Sequence, residues 1–217
     1  MDLLCYDGEP HGHARRIGAD YCTTRWDGGH YIPHGGNVLA VFQDSRNRRV
    51  SLVRWGWEHA GRLLGHGPAS ALSQRPLSLA WPKHRCLVLA ESWGIGNGSG
   101  APPTVVFPFG KGYPFAIGGL WSTCEIAGVT CGCVVILTVP ACKELRHLQK
   151  EQPVVVIDEH IDRWLDPGAT VRDLRPVMAS HMFYSAHHYL PDVDQWLKGN
   201  QRAKEDRERR GWIYGGS

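Results

Sequence analysis

Residues 83–96 constrain the fold more than any other stretch. They read Lys-His-Arg-Cys-Leu-Val-Leu-Ala-Glu-Ser-Trp-Gly-Ile-Gly. The stretch is basic at its entry and apolar for the five positions from Cys86 to Ala90. It then passes through Glu91, Ser92 and Trp93 into a glycine-rich loop. Residues 87–90 read as a buried strand bounded by turn signals. A rigid strand ending in Glu-Ser-Trp aims side chains at whatever lies beyond it, so it is a candidate core strand and a candidate site support together.

Around this strand the chain reads as strand-rich. Residues 37–43 and 50–57 are expected as two strands joined by the polar turn 44–47. On one continuous strand Trp55 and Trp57 would share a face, either core or base-stacking surface. Residues 104–109 and 113–121 are expected to form a hairpin around Gly110-Lys111-Gly112. Residues 131–139 and 153–157 read as further apolar strands. Helical signals are short: 143–149, 159–165 behind Asp158, and a turn at 171–175. Residues 1–36 show little periodicity, and 176–191 read as loop. Residues 192–210 are charged and helix-prone, within a tail expected over 192–217. The expected architecture is a single α+β domain over 1–191, built on a β-rich bifurcated or barrel-like sheet flanked by short helices.

Composition narrows the function classes. No apolar run approaches the roughly 20 residues of a membrane span, so no membrane partner is expected. Residues 1–5 lack the features of a secretion signal, and the expected compartment is the cytoplasm. The seven cysteines are scattered, without the spacing of a zinc site, and His11 and His13 have no regular second cluster. No metal and no cofactor is therefore expected. A net charge of +3 permits nucleic-acid binding without demanding it.

Five segments, in order, resemble the SOS response-associated peptidase (SRAP) family, also described as abasic-site shielding proteins. They are Arg54-Trp55-Gly56-Trp57, the strand from Arg85 to Trp93, the stretch from Phe115 to Trp121, the apolar stretch 134–139, and 153–165 ending in Trp164-Leu165. The resemblance implies the family fold over roughly residues 31–165. It also implies the family's chemistry: a Cys directly after the initiator Met links to the ring-opened sugar of an abasic site in single-stranded DNA. An Asn fixes the terminus, a Glu transfers protons and a His stands near the DNA. A carbonyl needs a nucleophile, and proton transfer needs groups of tunable pKa.

The chain departs from that pattern at each of these places. Position 2 is Asp2, and the nearest thiol is Cys5. The family's Asn-Ala-Arg motif falls near residues 65–69, which hold no Asn or Arg. The family Glu aligns with Ile95, the His with Gln149, and a further Asn with Ile32. The weak catalytic candidates that remain are Cys5, Glu91 and His147. The resemblance with these losses implies a non-catalytic binder of single-stranded or damaged DNA. Stacking would fall to Trp55, Trp57 and Trp93, and phosphate contacts to Arg54, Lys83 and Arg85. Two alternatives stand beside it. One is a thiol-dependent enzyme of the family, DNA-crosslinking or peptidase-like, using Cys5. The other is a repurposed protein-interaction module.

Overall fold

A computed structural model describes residues 1, 3–6, 8–21, 26, 29–44, 47–81, 83–96, 103–110, 113–126, 128–179 and 187–189. The elements in chain order are β1 (Leu3–Tyr6), α1 (Pro10–Arg16), β2 (Asp20–Tyr21), β3 (Gly29–Pro33), β4 (Asn37–Asp44), β5 (Asn47–Trp55), β6 (Trp57–His59), β7 (Arg62–Leu64) and β8 (His66–Pro68). There follow α2 (Leu77–Ala80), β9 (Arg85–Ala90), β10 (Ser92–Ile95), β11 (Thr104–Phe107), β12 (Phe115–Ile126), β13 (Val129–Pro140), β14 (Glu151–Pro153) and β15 (Val155–Val156). The last are α3 (Ile161–Leu165), α4 (Val171–Leu174) and β16 (His187–Tyr189).

The architecture is a closed five-strand barrel with an attached second sheet. Strands β13, β12, β9, β4 and β5 pair antiparallel in series, and β5 returns to β13 in parallel, closing the ring. The second sheet runs β16-β11-β10-β1-β3. The barrel-like, β-rich α+β expectation therefore matches the fold.

Strand β9 shows why the sequence folds this way. All six of its residues are buried. Cys86, Val88 and Ala90 enter one apolar cluster, and Leu87 and Leu89 enter another. Alternate side chains leave a strand on opposite faces, so a continuous apolar run needs cover on both. The first cluster holds Val38, Ala40, Val53, Trp55, Val134 and Ile136 from the other barrel strands. The second lies beneath α3, whose Trp164 is fully buried. Trp164 reaches the barrel because Gly118 has no side chain there: a Cβ at that position would stand 2.6 Å from the indole.

Several expectations are corrected. The strand expected over 50–57 breaks at Gly56, whose φ of +122° suits glycine, so Trp55 and Trp57 belong to separate strands. Strand β11 does not form a hairpin with β12; it pairs with β10 and β16, because β12 is already flanked by β9 and β13. Residues 143–148 make consecutive turns rather than a regular helix. Residues 1–36, which show no periodicity, hold β1, α1, β2 and β3, and residues 187–189 form β16. The charged tail and its boundary at 191 fall outside the described residues.

Candidate nucleic-acid interface

Strand β1 brings the reaction-linked segments together. It lies antiparallel between β10 and β3, with Leu3 opposite Gly94 and Pro33, and Leu4 opposite Trp93 and Ile32. Ile95, one residue beyond Gly94, is 8% exposed and shares an apolar cluster with Leu4 and Ile32; Met1 packs on the same cluster. Leu145 and Leu148 join it from the 143–150 segment. Ile32 and Ile95, at the places where the family resemblance calls for an Asn and a Glu, are thus both apolar and buried. Gln149, aligned with the family His, has both amide atoms buried with no hydrogen-bond partner among the described residues. An amide donates and accepts but does not titrate near neutrality.

The stretch aligned with the Asn-Ala-Arg motif forms β8, parallel to β13 with His66 opposite Ile136. The Gly65 carbonyl accepts the Trp55 indole N–H at 2.7 Å. A Cβ on Gly65 would lie 2.7 Å from the His34 ring. His34 stands edge-on to Trp55 at 4.3 Å and 5.7 Å from His66, ring centre to ring centre. Two imidazoles therefore occupy this corner. Sequence reasoning missed them, because only the β8–β13 pairing brings these distant loops together.

The three catalytic candidates are dispersed in role. Cys5 is half-buried within β1, opposite Ser92, and its carbonyl accepts the Glu91 N–H at 2.8 Å. Glu91 is buried, with its carboxylate against Gly8 and Tyr6. Burial first, and then the Glu91 charge, pushes the Tyr6 hydroxyl well above its ordinary value. His147 is exposed on the 143–150 segment.

Four of the six expected DNA-contact residues, Trp55, Trp57, Trp93 and Arg85, are buried. Trp55 and Trp93 are fully buried and Trp57 nearly so. Trp57 donates its indole N–H to the Cys133 carbonyl, and Trp93 packs edge-on against Phe115. Trp55 and Trp93 present no ring face for a base, whereas Trp57, though 6% exposed, borders an open cleft with His59 and His84. Arg85, 5% exposed, donates to the carbonyls of Trp164, Trp81 and Asp166 and lies over the Trp81 ring. It ties α3 to the barrel instead of reaching phosphate. Arg54 is ion-paired with Glu58 at 3.0 Å. Lys83 is exposed. Arg54 lies opposite Cys133 of β13, and its partner Glu58 lines the same cleft as Cys133 and His84, the residue after Lys83.

A basic surface that sequence reasoning did not single out lies on residues 143–150. Lys143, Arg146, His147 and Lys150 are exposed there, while Leu145 and Leu148 anchor the segment. The alternation of charged and apolar residues was its available signal. Among the described residues no group of three or more His, Cys, Asp or Glu is arranged to hold a metal ion. No helix among them is long and apolar enough to cross a membrane.

The fold defines a class: a closed β-barrel with an attached sheet in which the N-terminal strand lies between two others. Residues 23–194 match the SOS response associated peptidase (SRAP) family, and the chain belongs to that family. It is 28% identical over 153 residues to the abasic site processing protein YoqW of Bacillus subtilis (strain 168), covering 63% of this chain and 66%, just under two thirds, of that relative. It is 26% identical over 153 residues to the abasic site processing protein YobE of the same organism, covering 63% of this chain and 68% of YobE. Two solved structures share the fold. A protein from Bacteroides thetaiotaomicron superposes with a TM-score of 0.76 at 13% identity, covering 89% of this chain and 93% of its own. One from Bordetella bronchiseptica gives 0.71 at 16%, covering 89% and 100%.

Proposed function

We propose that this SRAP-family chain binds single-stranded or abasic-site DNA without forming a covalent link to it. The observation that carries the reading is one apolar cluster. It holds Ile32 and Ile95 at positions aligned with catalytic residues of the family, and it seats the exposed basic segment 143–150. The names of the curated relatives, abasic site processing proteins, support the DNA class.

In this reading Lys143, Arg146 and Lys150 neutralise phosphates, and His147 adds a donor beside them. Ile95, Ile32 and Met1 exclude water and offer an apolar floor to a sugar that carries no base. No group there serves as nucleophile and base together, so the aldehyde of the sugar is held and not captured. Cys5 retains its strand pairing, and no observation favours a thiol mechanism at it. A DNA-binding role implies the compartment that holds DNA, which we read as the cytoplasm.

The test is fluorescence anisotropy with a short labelled single strand across a salt series. Three phosphate contacts give a slope of log K against log salt of about −2. Lys143→Glu or Lys150→Glu reduces both affinity and slope. Binding that ignores salt and both charge reversals contradicts the reading and favours the protein-interaction module.

A further inference from the structure

The β12–β13 hairpin carries a thiol cluster that the DNA reading does not use. Cys124 and Cys131 are direct cross-strand partners, and their sulfurs are 3.3 Å apart. Both are half-buried, and Cys124 borders an open cleft of about 270 Å³ that is also lined by Trp57, His59 and His84. Cys133, fully buried on the same face of β13, lines the cleft floor and hydrogen-bonds the Ser122 carbonyl at 3.4 Å. By contrast, Cys86 and Cys142 are buried, and Cys5 lies on another sheet.

We propose that Cys124 and Cys131 are a reversible dithiol–disulfide site, oxidised by exchange with a low-molecular-weight disulfide such as oxidised glutathione. Directly opposed residues of antiparallel strands have Cα atoms about 4.5–5.5 Å apart, inside the range of about 4.4–6.8 Å that disulfides span. Closing the sulfurs to bonding distance therefore needs side-chain rotation and little backbone movement. The cleft admits the small disulfide to Cys124. The thiolate of one cysteine attacks a sulfur of the reagent, breaking its S–S bond, forming a mixed disulfide and releasing one small thiolate. The second cysteine, deprotonated, attacks the protein sulfur of that mixed disulfide and expels the second small thiolate. Two protein S–H bonds are replaced by one S–S bond. The reagent takes the electron pair, and both protons pass to the released thiols.

Burial, and then the neighbouring Cys124 thiol, raise the Cys131 thiol to about 11, while Arg54 draws it down. Exchange at neutral pH is accordingly slow and quickens as pH rises.

Digestion after glutamate gives a direct readout, because Glu125 lies between the two cysteines. The full chain is treated with oxidised glutathione at pH 8, alkylated and cleaved with a glutamyl endopeptidase. The expected result is peptide 92–125 linked to peptide 126–144, with two hydrogen atoms lost and two alkylation sites protected. Reductant reverses it. The link persists in Cys133→Ser and is absent in Cys131→Ser. In a second measurement, phenylarsine oxide, which bridges paired thiols, binds the reduced chain at one equivalent and blocks the link. Unlinked peptides, stable glutathione adducts alone, or a link that survives in Cys131→Ser would overturn the proposal.

Discussion

Arg85 and Trp164 hold each other in place: the guanidinium Nε donates to the Trp164 carbonyl at 2.8 Å, and the indole of Trp164 donates to the Cys86 carbonyl at 2.9 Å. This reciprocal pair joins α3 to the strand on which the barrel is built. It also removes the most basic point of the Lys83 stretch from the surface. Arg85→Met should therefore cost about 2–4 kcal/mol in chemical denaturation, because buried carbonyls lose their donors. The salt slope of DNA binding should stay unchanged. A normal stability with a shallower slope would instead make Arg85 a phosphate ligand.

The same pair depends on the missing side chain at Gly118. A Cβ there would approach Trp164 to 2.6 Å, with ring atoms at 2.6–3.1 Å on that side. Gly118→Ala is expected to lower stability by about 1–3 kcal/mol through overpacking. Thermal unfolding checks it, and an unchanged Tm would mean that the indole moves freely.

How far these features can be read from sequence differs by element. Strand β9 is legible because both its faces are covered and its residues are uniformly apolar. Strand β1 is not: four residues with a bulge between Leu4 and Tyr6 give no period, although the strand is paired on both edges. Trp55 and Trp57 mislead because φ at Gly56, invisible in sequence, sets whether they share a face. Arg85 reads as a surface cation because its partners are backbone carbonyls 79 and 81 residues away, which have no sequence signature. Ile95 stands out in sequence only against the family resemblance, which calls for a Glu at that place.

His13 gives the fold an acid sensitivity. It is 3% exposed, stacked on Tyr6, and its Nε2 lies 3.1 Å from an Arg16 nitrogen, an arrangement for a neutral ring. Burial, and then the Arg16 charge, lower its pKa to about 3. The unfolded chain takes up this proton near pH 6.5 and the folded chain does not until about pH 3. Stability from this group is therefore whole above pH 6.5 and falls as pH drops toward 3, by about 1.4 kcal/mol per unit at most. His13→Gln should flatten that part of the stability–pH curve in urea titrations. An identical slope in the variant would assign the acid sensitivity elsewhere.

Ile95→Glu restores the residue type that the family resemblance calls for, in an apolar setting. Desolvation raises the new carboxyl above the ordinary value, so the penalty grows as pH rises past about 4.3. The expected outcome is a variant less stable at pH 8 than at pH 5, still without an adduct to abasic DNA. Equal stability at both values would show that the Ile95 corner is open to water.

In the proposed function this SRAP-family chain holds DNA without bonding to it. One labelled single strand with a single abasic site, incubated with the full chain and split between a native and a denaturing gel, tests this most directly. The expected result is a shifted band on the native gel at low salt that vanishes as salt rises, and free strand alone after heat and detergent. A band that survives denaturation and is lost in Cys5→Ala would contradict it and make Cys5 a nucleophile.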